Sequence, residues 1–92
     1  MLFISEYRVR PYLSKADTGK VMAIFGERGA EEGTIAHYVK SDGSGGIVII
    51  EQDDLVKAYE GVMAYSEFLE FTVTPALTIE DAVGPIANYL GS

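Results

Sequence analysis

The chain has 92 residues, 7 of them basic and 14 acidic, giving a formal charge of −7 with its single histidine neutral. Hydrophobic residues make up 48% and charged residues 23%, a globular composition, and the length fits a single domain over residues 1–92. With no cysteine, disulfides, thiolate metal sites and thiol catalysis are excluded; with no signal-like start and no apolar run near the roughly 18 residues of a membrane helix, a cytoplasmic protein is expected.

Leu2-Phe3-Ile4-Ser5-Glu6-Tyr7-Arg8-Val9-Arg10 is rich in β-branched and aromatic residues and stops at Pro11, so it reads as a first strand. Ser14 followed by Asp17 forms a capping pair that opens a helix, with Val21, Met22, Ile24 and Phe25 as its apolar stripe and Gly29 as its stop. Thr34 to Lys40 alternates as a second strand. The turn cluster Ser41-Asp42-Gly43-Ser44-Gly45-Gly46 leads into a third, Ile47 to Gln52, and the two strands form a hairpin.

Asp53 or Asp54 caps a second helix, with Leu55, Val56, Tyr59, Val62 and Met63 expected on the buried stripe and Glu60 and Gly61 on the wet side. Leu69 to Thr74 alternates as a fourth strand that should end at Pro75. Thr78, three residues before Asp81, opens a C-terminal helix through Val83, Ile86, Ala87 and Leu90. Pro85 lies deep enough to kink that helix or delay its start.

This order is the ferredoxin-like β-α-β-β-α-β arrangement plus a C-terminal helix, an α+β fold. Right-handed crossovers put both main helices on one face of a four-stranded antiparallel sheet, with strands one and three central. Ile47, Val48, Ile49 and Ile50 are apolar on both faces of strand three, and Leu2, Phe3 and Ile4 open strand one the same way. At about 25 cal/mol per Å², wetting four or five such side chains forfeits several kcal/mol, against a total stability of about 5–10 kcal/mol. A second copy packed sheet to sheet is the expected cover, and the C-terminal helix of the same chain is its rival.

The segments Arg8-Val9-Arg10-Pro11, Asp42-Gly43-Ser44-Gly45-Gly46 leading to Glu51, and Leu69-Glu70-Phe71-Thr72-Val73-Thr74-Pro75 carry a resemblance over nearly the whole chain. It resembles the dimeric α+β barrel superfamily, which includes antibiotic-biosynthesis monooxygenases, muconolactone isomerases, stress-response barrels and uncharacterised bacterial families, one of the last being the nearest likeness. The resemblance implies a homodimer that holds a small apolar or aromatic ligand between sheet and helices. Cofactor-independent monooxygenases of this kind use a tryptophan or asparagine near a basic residue. This chain has no tryptophan, and its one asparagine is Asn88 in the tail helix.

Candidate site residues follow from residue chemistry. His37, the only side chain with an ordinary pKa near neutrality, shares a strand face with Ile35 and Val39 and is the candidate general base. Glu6 and Arg8 continue the row of Leu2 and Ile4, so they either line a cavity and orient a substrate or emerge at the wet end of the strand. Tyr38 and Tyr59, two of six tyrosines, are candidate ligand-binding walls, and Tyr65 is also near the expected cleft. Tyr7, on the opposite face of strand one with Phe3 and Val9, reads as core with its hydroxyl reaching a partner. No second histidine or cysteine completes a metal shell, and no cofactor motif appears. The glycine-rich segment joins two strands rather than a strand and a helix, so it is a turn and not a phosphate loop.

Charge narrows the partners. Residues 1–46 balance six basic against six acidic groups, whereas residues 47–92 set Lys57 alone against eight acids, a field that repels nucleic acid and anionic membranes. The function expected is binding of an apolar or aromatic metabolite by a homodimer, with monooxygenase or isomerase chemistry as its catalytic form. The alternative is a non-catalytic dimerisation or sensing module whose acidic half meets a protein partner.

Overall fold

Seven elements, described over residues 1–91 of a computed structural model, follow in the order β1 (Leu2–Val9), α1 (Lys15–Arg28), β2 (Thr34–Val39), β3 (Gly45–Glu51), α2 (Leu55–Tyr65), β4 (Leu69–Ala76) and α3 (Ile79–Gly91). The sheet is four-stranded and antiparallel in the order β2-β3-β1-β4, so the architecture is α+β and ferredoxin-like. The strands richest in aliphatics, β1 and β3, take the two central positions, where a strand loses most water.

Local chemistry sets the ends of the elements. Ser14 Oγ accepts from the Asp17 N–H at 3.0 Å while Asp17 Oδ2 accepts from the Ser14 N–H at 3.1 Å, a complete capping box at the start of α1. Asp54, not Asp53, caps α2 by accepting from the N–H groups of Val56 and Lys57. In the β2–β3 hairpin Asp42 Oδ1 accepts from both the backbone N–H and the hydroxyl of Ser44, an Asx turn with Gly43 at φ 77°.

Toward the C-terminus, β4 and α3 differ from the sequence expectation in their bounds. β4 runs through Pro75 to Ala76. Because β4 is the sheet's edge strand, paired only with β1, a residue without an N–H is tolerated there. α3 starts directly after Thr78, whose Oγ1 accepts from the Asp81 N–H at 3.2 Å, and continues past Pro85.

Packing departs further from expectation. Phe3, Phe68 and Leu69 form the buried apolar core, while Leu55, Val56, Tyr59 and Met63 of α2 are exposed. The apolar arc of α2 is wider than the sheet can cover, so only its inner part, with Ala58, Val62 and Tyr65, turns toward the strands. Gly61, expected on the wet side, is instead the buried residue of α2: the Glu31 side chain lies against it in the space a Cβ would crowd.

α3 does not act as the cover for the open sheet face. None of its residues is buried, and Ile79, Val83, Ile86 and Leu90 remain exposed. The chain exposes 6660 Å², against about 5,200 Å² for a compact monomer of its mass. Its radius of gyration is 16.0 Å, against about 12 Å for that length. No helix among the described residues is long and apolar enough to cross a membrane.

Candidate functional site

Strand alternation builds the site. On β1, Phe3, Ser5 and Tyr7 face the helices, and the antiparallel register sets Ser5 opposite Val48 of β3 and Val73 of β4. β2 adds His37 and Val39 to the same face, and β4 adds Phe71. Val21, Met22 and Phe25 of α1 and Ala58, Val62 and Tyr65 of α2 close over these strands without filling the gap. They leave a cleft of about 780 Å³ with a mostly apolar lining.

The polar centre of this cleft spans three strands. Tyr7 Oη on β1 and His37 Nε2 on β2 lie 2.7 Å apart, with β3 between them. The tyrosine ring crosses above Gly46, where any Cβ would collide with its hydroxyl end. Phe25 meets the His37 ring edge-on at 6.3 Å, Tyr7 meets it at 5.7 Å, and Phe71 stands 6.1 Å beyond Tyr7. The imidazole is thus oriented by one hydrogen bond and two aromatic walls. Burial pushes the Tyr7 phenol above its ordinary pKa, so the hydroxyl is protonated at neutral pH.

Ion pairs stand at the rim. Arg28 donates through Nε and Nη2 to the two carboxylate oxygens of Glu31 at 2.9 and 3.1 Å, which holds the guanidinium further above its ordinary pKa. Lys57 Nζ reaches Glu32 Oε2 at 2.8 Å. Burial, followed by the nearby Glu31 charge, raises the Tyr65 phenol.

The residues singled out from the sequence separate into three places. His37 lies in the cleft. Tyr59 is 64% exposed and lines a shallower depression of about 350 Å³ with Leu55, Phe71 and Val73, on the β4 side of α2. Glu6, Arg8 and Tyr38 stand on the opposite face of the sheet. Glu6 pairs with Lys40 at 3.0 Å, Arg8 with Glu70 at 3.6 Å, and Tyr38 is exposed opposite Ile47. Of the two readings open for Glu6 and Arg8, the geometry matches emergence at the wet end of the strand. Even-numbered residues of β1 turn away from the helices, and cross-strand partners satisfy both charges.

Two residues of the site carry no obvious sequence signal. Ser5 sits in a strand where an aliphatic would pack better, and the signal was its parity with Phe3 and Tyr7. Gly46 reads as part of a turn because it ends a glycine-rich run, yet it lies within β3. No cluster of three or more metal-ligating side chains occurs among the described residues.

No curated protein matches the chain. A family model described as a domain of unknown function, DUF3303, matches residues 1–90, so the chain belongs to the DUF3303 family.

Proposed function

We propose that the protein is a homodimer in which each protomer holds a small apolar or aromatic molecule between sheet and helices. The observation that carries this reading is the cleft itself: about 780 Å³ of largely apolar space with the Tyr7–His37 pair at its floor, the size and chemistry of a small-molecule site. The likeness to dimeric α+β barrels supports it, because ligands of that superfamily occupy the same layer.

In its catalytic form His37 takes a proton from an acidic C–H or O–H of the ligand, oriented by its bond to Tyr7. Return of the proton to another carbon completes an isomerisation. With dioxygen as co-reactant, the carbanion left behind takes up one oxygen atom as a carbonyl while the other leaves as water, a cofactor-independent oxygenation.

The dimer is supported by area. The surface exposed in excess of a compact monomer, roughly 1,400 Å² of the 6660 Å², is more than the ~800 Å² that a stable interface buries from each partner. It is carried by the exposed apolar side of α3, to which the half-buried Leu2, Ile4, Ile47 and Ile49 on the helix-free sheet face add a smaller share. The same exposed helix favours the second reading, a non-catalytic dimerisation or sensing module that receives a protein partner on α3.

Native mass spectrometry of freshly purified protein tests the first reading. A dimer carrying a small molecule that denaturation releases is the expected result. If the protein retains no small molecule and binds the neutral probe Nile red no better than a cleft-filling Val48→Phe variant, the ligand reading fails.

A further inference from the structure

Ser5 is 7% exposed and stands in the middle of the cleft wall between Val48 and Val73. Its hydroxyl has no hydrogen-bond partner among the described residues and is not sealed away from the cleft. A hydroxyl so placed has one donor and two acceptor positions to satisfy, and only a molecule in the cleft can reach it. Next to it on the same face, Tyr7 retains unused capacity. If it donates to His37 Nε2 its oxygen still accepts, and if it accepts from Nε2–H its own proton is free to donate.

The charges around the cleft point the same way. Its two lining cations, Arg28 and Lys57, are each held by a carboxylate, Glu31 and Glu32, and Glu60 adds a third acid to the lining. An organic anion entering here would meet no unmatched Arg or Lys among the described lining residues and would face a net negative rim in a chain of charge −7.

Building on the ligand reading above, we propose that the cleft selects neutral molecules: an apolar, ring-sized body carrying a hydroxyl that Ser5 and the Tyr7–His37 pair hold, with carboxylates and phosphates excluded. The hydroxyl both donates and accepts, which matches the two-way capacity of Ser5 and Tyr7. The apolar body meets Phe25, Phe71 and Val48.

Binding of three bicyclic probes to the full chain at neutral pH tests this: 2-naphthol, naphthalene and 2-naphthoate, measured by fluorescence and calorimetry. 2-Naphthol is expected to bind about five- to ten-fold more tightly than naphthalene, the size of one neutral hydrogen bond, and more tightly still than 2-naphthoate. Ser5→Ala and Tyr7→Phe should each remove most of the naphthol advantage over naphthalene measured in the same variant, and an unchanged circular dichroism spectrum reports that the variants keep their fold. Binding of 2-naphthoate equal to or tighter than 2-naphthol overturns the neutral-ligand inference and leaves the cleft reading standing. An unchanged naphthol advantage in both variants overturns the roles of Ser5 and Tyr7. If none of the three probes binds, the cleft reading itself fails and this inference with it.

Discussion

The hydroxyl of Tyr7 and Nε2 of His37 meet at 2.7 Å although their strands are not neighbours, since β3 runs between them. The contact exists because position 46, directly between, has no side chain. A methyl group there would strike both the Tyr7 ring and the backbone carbonyl of Tyr38. Gly46→Ala is therefore expected to destabilise the fold by about 1–3 kcal/mol, as overpacking does, and each kcal/mol corresponds to about 4–8 °C in a domain of this size. Thermal denaturation checks it. A variant that melts with the parent shows that the ring does not cross at this point.

Alkaline stability tests the burial of the same tyrosine. Its folded pKa is raised by loss of water, so the folded chain keeps a proton that the unfolded chain releases near its ordinary value of 10.0. Stability is accordingly full below pH 10 and falls as pH rises beyond it. Tyr65 is displaced in the same direction and adds to the slope. Tyr7→Phe should flatten the alkaline arm of a denaturant-midpoint profile without changing its neutral part in slope. An arm as steep as the parent's would mean that Tyr65 alone carries it.

At the start of α1 the capping box makes acid sensitivity local. Hydrogen bonds from the backbone and hydroxyl of Ser14 hold the Asp17 carboxyl below its ordinary pKa, so its contribution is present above the unfolded value and lost as pH falls through the lower folded one. Ser14→Ala should cost about 1 kcal/mol at neutral pH. It should cost less in acid, where Asp17 is protonated and the reciprocal bond is already weakened. Urea midpoints at neutral and acid pH measure the difference.

The proposed dimer places α3 in its interface. Light scattering of the parent should report twice the 10.0 kDa chain mass. In a variant carrying Ile86→Asp and Leu90→Asp, both exposed on α3, the mass should fall to that of one chain with the circular dichroism of the sheet retained. If the double variant stays dimeric, the helix-free sheet face is sufficient by itself. Ile49→Asp, which places a charge at the centre of that face opposite Ile4, then tests it.

Much of this architecture was legible in the chain. Ser14 with Asp17, the Asp42 turn and the Thr78 start are local devices whose partners lie within four residues, so they form whatever the rest of the molecule does. Alternation likewise separated Glu6 and Arg8 from Tyr7, because side-chain parity along a strand is a property of the backbone alone. It could not say which face the helices would cover, and so could not show that the two charges point away from the cleft. The second helix posed the same difficulty in another form. Leu55, Tyr59 and Met63 are as apolar as Val62, and only the width of the sheet beneath them left them in water.

What the sequence determined by itself is therefore the order of elements, their caps and the two-sided greasiness of β3, all set by interactions between near neighbours. The site was decided in three dimensions. Tyr7 and His37 are 30 residues apart, and nothing short of the strand order and a bare position at Gly46 could bring their ring atoms together. Ser5 became a feature of chemical interest only once its aliphatic neighbours had closed around it, because a hydroxyl acquires meaning from the water it has lost.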